Sequence, residues 1–344
     1  MKTTRSVAAL VARRALLAVP TLFGALVITF VLTHSLPGDP AAYFAGGSDT
    51  SFEAIRAMRA KLGLDRSVPE QFMIYLRDLA RGDLGTSLTT GQPVLKDLLE
   101  RLPASLELTF VAFALAVVVA LPLGVLAATH PGSWIDSTCR LVTTLGVSLP
   151  TFVTGLVLIY VFYYLLGWAP SPIGRVDPFV APPATWTGLL LVDSLLTGNL
   201  DAFRMVLGKL LLPASTMALF TLAPLARMTR AAMLGVLSSD YVRTARALGL
   251  SPRRVLYGYA LHNALLPVVT TLGMVFSYML GANVLVEKVF SWPGIGSYAL
   301  NALVALDYAP VQGFVLMMAA IFVLINLLVD LLYTAIDPRI ALEG

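Results

Sequence analysis

Six stretches of the chain stay apolar for long enough to cross a bilayer: Ala15–Leu36, Leu108–Thr129, Leu141–Leu166, Leu210–Ala226, Ala264–Val286 and Val311–Ile336. A hydrocarbon core takes about 20 apolar residues as a helix. These runs lack the period-two alternation that a barrel strand requires. Their prolines, Pro20, Pro122, Pro150, Pro213, Pro224 and Pro267, suit bundled membrane helices, in which neighbours satisfy the freed carbonyls. The pattern predicts an all-α polytopic membrane protein with six transmembrane helices.

The polar segments set the organisation around those spans. Residues 37–107 are too polar to face lipid and too long for a turn. Within them Phe52, Ile55, Met58, Ala60 and Leu62 follow helical spacing and stop at Gly63, a C-cap signal, and Pro69–Leu79 reads similarly. The expectation is a small helical cap. The stretch 187–200 is too short to span and is predicted to lie along the same surface. The chain then divides into 1–36 (N-terminus and first span), 37–107 (helical extracytoplasmic domain) and 108–344 (a five-helix core with a polar loop at 240–263).

Composition agrees with the spans. Charged residues make up 13 % of the chain, against about 25 % in a soluble domain, so most of the surface does not face water. Lys2, Arg5, Arg13 and Arg14 precede the first run as they would in a signal peptide. That run is longer than a typical signal core, and no small-x-small site precedes Pro37-Gly38-Asp39-Pro40, so a retained helix is expected. Cys139 is the only cysteine, which excludes an intramolecular disulfide; a buried small hydrophobe is expected there. His34, His130 and His262 have no metal-ligand spacing. Neither a phosphate-cradling G-x-x-x-x-G-K-[ST] nor a metalloprotease H-E-x-x-H occurs. The chain is expected to carry no catalytic residue and to bind no cofactor or metal itself.

Charge also orients the chain. With the N-terminus inside, segments 1–14, 130–140, 227–263 and 337–344 hold twelve Lys and Arg; the short outside segments 167–209 and 287–310 hold four. Residues 37–107 are left out because long loops cross largely regardless of charge. Both termini and the 240–263 loop are therefore expected in the cytoplasm.

That loop carries Arg243, Arg246, Arg253 and Arg254 within twelve residues. Asp240 is a suitable N-cap, and Gly249 fits the C′ position after Leu248. Ser251-Pro252 then offers a second N-cap with proline at the first helical position. The reading is a V of two short helices, 241–248 and 253–262, with Tyr241, Ala245 and Leu248 on a packing face and the basic side free for a partner. A purely topogenic basic loop is the alternative on these features alone.

The segment DYVRTARALGL, Asp240–Leu250, resembles the cytoplasmic coupling loop of ABC importer permeases, in the form typical of the peptide/nickel permease family. The general pattern is Glu-Ala-Ala, three residues, then Gly; here Arg243-Thr244-Ala245 and Gly249 fill the slots. The leading acidic residue is absent, Leu248 stands where lysine is usual, and Leu261-His262 replaces a distal Leu-Pro. Residues 13–40, RGDLGTSL (81–88), RLPASLELT (101–109), EKVFSWPGIGSYALNAL (287–303), DYAPVQG (307–313) and NLLVDLLYTAIDPR (326–339) are similar to the same family.

The resemblance implies a type I (MetI-like) importer bundle moving di- or oligopeptides or similar small solutes across a bacterial inner membrane. It also implies a homologous second permease, two cytoplasmic ATPase subunits carrying ATP and Mg, and an extracytoplasmic solute-binding protein; no nucleic acid is involved. Asp240, Tyr241, Arg243, Thr244, Ala245, Arg246, Gly249, Leu250 and Ser251 would couple to the ATPase.

Further residues are candidates for packing and passage. Ala112, Ala116, Ala120, Gly124 and Ala128 recur every four residues, as do Gly273, Ser277 and Gly281; small residues at that spacing let helices approach closely. Tyr278, Asn283 and Asn326 are candidates for lining a pathway, interhelical hydrogen bonding being the alternative for each asparagine. Glu107 and Glu287 are expected near outer ends within reach of water, as structural caps. Asp330 is expected near the inner interface, within reach of a basic loop residue. A stand-alone secondary transporter is the competing reading. It would need midplane carboxylates and often inverted repeats, neither of which the chain displays.

Overall fold

The computed structural model describes residues 2–46, 51–177 and 183–336, with backbone alone at 2–12, 15, 330 and 332–336. The Asp330 side chain and the C-terminal segment 337–344, with Asp337, lie outside the described residues, as do the side chains of Lys2 and Arg5.

The apolar runs form helices that exceed their hydrophobic cores. The first is α1 (Lys2–Ser35), whose span begins at Leu16. The cap follows as α2 (Pro40–Ala45), α3 (Phe52–Lys61) and α4 (Val68–Leu79). Both cap helices expected from the sequence are there, and Gly63 adopts φ 67° after α3. Next comes α5 (Val94–Thr129), 36 residues long, or about 54 Å at 1.5 Å per residue. It runs unbroken across 107–108, so the cap and the five-helix core share one helix rather than meeting at a boundary.

The third expected span is broken. In place of one helix over Leu141–Leu166 there are α6 (Trp134–Ser148) and α7 (Thr151–Leu158, continuing with wider π-type turns over Ile159–Leu165), bent by 104°. The cause sits at the junction. Pro150 has no N–H to continue the ladder and disfavours helical geometry at the residue before it, and Leu149 is extended at φ −108°, ψ 142°.

Beyond the break lie α8 (Leu190–Leu196), α9 (Leu200–Leu237) and α10 (Asp240–Ala247). Then come π-type turns over Arg254–Leu261 that lead straight into α11 (His262–Val289), followed by α12 (Ile295–Val304) and α13 (Tyr308–Ile336). Among the described residues five helices are long and apolar enough to span, six with the bent pair counted as one. The short α8 buries one face, with Leu190, Asp193 and Ser194, and leaves Val192, Leu195 and Leu196 exposed.

The core forms where α5 packs on α9. Ala112, Ala116, Ala120, Gly124 and Ala128 are all buried, so the four-residue stripe is the contact surface that lets the two backbones close up. At Gly124 a Cβ would lie 2.8 Å from the Ala226 carbonyl oxygen and 2.5 Å from Thr229 Cβ. Only glycine fits that crossing. Cys139 is buried, as expected.

The bundle has two polar ends. One carries α2–α4, α8 and α12; the other carries α10 and the start of α6. At the cap end, buried Glu107 accepts hydrogen bonds from Arg175 at 2.6 Å and the Leu191 N–H at 2.7 Å. Buried Glu287 accepts from the Ser105 hydroxyl at 2.5 Å and the Ser297 N–H at 2.8 Å. Water was expected to reach both carboxylates, but they are 4 % and 0 % exposed. Protein donors replace that water, as buried charge requires, and tie α5 to α8, α11 and α12.

Candidate functional site

The loop at 240–263 is built differently from the expected V, though the bend is present. Ser239, extended at φ −72°, ψ 152°, precedes α10 as its N-cap, one residue before the expected Asp240. The Asp240 carboxylate instead meets Arg243 at 3.3 Å. At the other end Gly249 adopts φ 77°. Its N–H donates to the Arg246 carbonyl at 3.0 Å, and the Leu250 N–H donates to the Ala245 carbonyl at 3.3 Å. These are the two bonds of a Schellman cap, which needs the left-handed residue that glycine provides. No atom lies within 4 Å of where a Gly249 Cβ would be, so conformation alone selects glycine.

The packing face also differs. Val242 and Ala245 are buried against Val255, with Val236, Leu237 and Leu250 around them. Tyr241 and Leu248, expected on that face, are 43 % and 76 % exposed. A helix of eight residues needs only one pair three apart to dock, and Leu250, folded back by the Gly249 turn, completes the cluster. Tyr241, Arg243, Thr244, Arg246 and Leu248 thus form an exposed polar and apolar face at the tip of the molecule.

No separate second helix exists. Ser251 accepts from the Val255 N–H at 3.0 Å through its carbonyl, but the helix it starts does not stop at His262. It runs on as one unit, Arg254–Val289. The two arms of the bend are therefore α10 and the foot of the long α11 unit, joined by the short turn at 248–251.

Beneath this element a pair of charges fixes the base. Asp136, at the start of α6, is 1 % exposed and takes two bonds from Arg230 of α9 at 2.7 and 2.8 Å, plus one from the Gly132 N–H at 3.1 Å. Sequence reasoning missed this pair, since nothing in either segment marks a partner 94 residues away.

The candidate passage residues separate. Tyr278 and Asn326 share a cavity of about 570 Å³ between α11 and α13 with Ser277, Gly281, Met274 and Phe322. Tyr278 stacks on Phe220 with ring centroids 5.6 Å apart. The Asn326 amide donates to its own helix at Phe322, and the buried Ser277 hydroxyl has no partner. Asn283 does not reach this cavity: it is 3 % exposed and donates to the Ser105 carbonyl at 3.2 Å and to Thr109 at 3.3 Å, so it bridges α11 and α5. In the small-residue stripe Gly273 meets Val329 of α13, whereas Gly281 faces open space.

Among the described residues no group of His, Cys, Asp or Glu is placed to hold a metal ion. Outside the membrane segments, burial opposes the charge of Asp193, but hydrogen bonds from the Thr187 N–H and hydroxyl and the Gly188 N–H outweigh it and hold the carboxyl below the usual range.

Comparison with known proteins places this architecture. Residues 120–342 match the family described as binding-protein-dependent transport system inner membrane component, and residues 7–109 match its N-terminal counterpart. The probable D,D-dipeptide transport system permease protein of Escherichia coli K12 is 45 % identical over 93 % of this chain and 94 % of its own length. The di/tripeptide transport system permease protein of Pseudomonas aeruginosa UCBPP-PA14 is 42 % identical over 96 % of this chain and 98 % of its own. A solved structure of the MetNI methionine ABC transporter in inward-facing conformations aligns at TM-score 0.48 and 17 % identity, over 68 % of this chain and 93 % of that one. The chain belongs to the inner membrane component family of binding-protein-dependent transport systems: it is a multi-span transport permease component.

Proposed function

We propose that this chain is the peptide-carrying permease subunit of an ATP-driven importer, with α10 as the element that receives the stroke of a cytoplasmic ATPase. The observation that carries the reading is the build of α10. It is short, pinned by Val242 and Ala245, closed by the Gly249 cap, and fused through the bend to the 36-residue α11 unit, while its other face is exposed. A tether that only set topology would need none of these fixings.

On this reading the α10 end, both termini included, lies in the cytoplasm, in keeping with its excess of Lys and Arg. Two ATPase subunits bind ATP and Mg there, a homologous permease completes the passage, and a solute-binding protein delivers cargo at the cap end. ATP favours the closed ATPase pair, which draws the α10 elements together and opens the bundle toward the cap end; hydrolysis resets it. Each ligand shifts the equilibrium by its differential affinity for the two states. The cavity containing Tyr278, Ser277 and Asn326 forms this chain's wall of the passage. The names of the relatives support short peptides as cargo.

The test is reconstitution. The chain co-purified with the products of its neighbouring genes and placed in liposomes should take up a dipeptide only with ATP and binding protein present. Purified alone it should hydrolyse no ATP, since it lacks a phosphate-binding loop. ATP-independent uptake by the lone chain would support a secondary transporter instead.

A further inference from the structure

At the cap end, a cavity of about 450 Å³ lies between α3–α4 and the turn joining α12 to α13, a volume within the roughly 300–1,000 Å³ of small-ligand sites. Asp307 lines it and is 1 % exposed. Its Oδ2 accepts from the Ser87 hydroxyl at 2.8 Å, the Thr89 N–H at 3.0 Å and the Thr89 hydroxyl at 3.1 Å. Its Oδ1 is buried with no partner, and no cation pairs with Asp307 among the described residues. A second orphan lines the same cavity, the buried Tyr75 hydroxyl. Buried polar atoms left unpaired are rare, and each needs a partner that the chain itself does not supply. Preceding Asp307, Leu306 is held at φ 57°, a left-handed conformation that a leucine keeps only when its surroundings impose it.

The other charged groups lining it, Lys61, Arg66 and Arg77, have the opposite sign. Lys61 and Arg66, both exposed, border the cavity. Arg66 spends its charge on Glu70 at 3.6 Å and Arg77 on Asp78 at 2.9 Å, whereas Lys61 forms no ion pair among the described residues. The cavity therefore has a buried acceptor on its closed side and, on its open side, a cation with no ion-pair partner among the described residues, with Tyr308 and Leu306 as apolar wall. A simple cation fits the first feature but is repelled by the second; an anion fits only the second.

We propose that this cavity is a site for a small zwitterion, a free short peptide, whose ammonium group donates to Asp307 Oδ1 and the Tyr75 hydroxyl and whose carboxylate faces Lys61. The site lies apart from the cleft between α11 and α13, and it rests on the reading of the chain as a peptide permease. It would hold cargo at the cap end before passage and select for a free N-terminus.

The experiment is titration of the full chain in phospholipid nanodiscs with dialanine, N-acetyl-dialanine and dialanine amide. Saturable binding of dialanine is expected, weakened about tenfold or more by loss of a charged hydrogen bond in the acetylated form and in Asp307→Asn. The Asn side chain keeps an acceptor for Ser87 and Thr89, so the loop stays anchored while the charge is removed. Tyr75→Phe and Lys61→Ala leave that anchor untouched and should weaken binding as well, Lys61→Ala to the level of the amide. No saturable binding, equal affinity for the acetylated peptide, or indifference to all three substitutions would overturn the site. ATP-dependent peptide uptake by the assembled transporter would then still stand. Binding here without uptake by the assembled transporter would leave the site and remove the transport reading.

Discussion

Asp136 and Arg230 form a two-point ion pair, with nitrogen–oxygen distances of 2.7 and 2.8 Å, across 94 residues of sequence. The pair joins the start of α6 to the last turns of α9, two turns before the helix reaches the α10 loop. Its carboxylate is almost fully buried and its guanidinium about a quarter exposed. The pair fixes α6 against α9 close to the base of α10.

Arg230→Ala should therefore destabilise, because it removes two hydrogen bonds from the Asp136 carboxylate and leaves it only the Gly132 N–H and Arg140 at 3.7 Å. Thermal unfolding in detergent should show the loss. Replacing both partners, as Asp136→Leu with Arg230→Leu, should recover much of it. Equal stability of the single and double variants would show that the pair does not act as a unit.

Gly124→Leu should separate α5 from α9, since even a Cβ there meets Thr229 and the Ala226 carbonyl. Overpacking costs about 1–3 kcal/mol or more. Gly281→Ala, inside α11 where nothing lies within 4 Å, should not lower stability and should raise it slightly, because alanine favours the helix over glycine. The comparison of the two melting temperatures is the check.

Asp193 anchors α8 with a carboxyl held below its ordinary value. A depressed carboxylate stabilises above its unfolded pKa of about 3.9 and loses that contribution as pH falls through the folded value. Asp193→Asn should then speed amide exchange across 187–198 at pH 7, and the gap from the wild type should close in acid below that range. A gap independent of pH would assign the effect to lost geometry rather than charge.

Sidedness has a direct check. Ser251→Cys in a Cys139→Ser background should resist an impermeant maleimide added outside intact spheroplasts and react after permeabilisation. Labelling from outside would invert the assignment of the α10 end.

Much of the scaffold was legible because apolar length and small-residue spacing are local signals. The spans, the cap helices and the α5 stripe follow from them, and Gly249 follows from a one-residue requirement for positive φ. The break at Leu149-Pro150 was hidden, because a proline inside an apolar run reads equally as a tolerated kink. Tyr241 and Leu248 were misplaced because a helix of eight residues has too few turns for periodicity to choose between adjacent faces. The buried carboxylates were the least legible. Glu107 meets Arg175 and Asp307 meets Ser87 across 68 and 220 residues, and only the assembled bundle brings such partners together. Asn283 shows the same limit: its type allowed passage or packing, and its burial against Ser105 and Thr109 assigns it to packing.

The central claim is that α10 and its Gly249 cap pass ATPase movement to the α11 unit. Gly249→Val and Gly249→Asn, compared at matched membrane abundance for ATPase pull-down and peptide uptake, test it most directly. Valine at φ 77° carries the left-handed penalty of about 1–2 kcal/mol, while asparagine tolerates that region. No Cβ clash complicates either change, and no span is touched. The expected result is normal insertion for both, weakened ATPase association or uncoupled hydrolysis for valine, and a milder defect for asparagine. If both variants associate and transport like the wild type, the loop is only a basic topogenic tether and the coupling role fails.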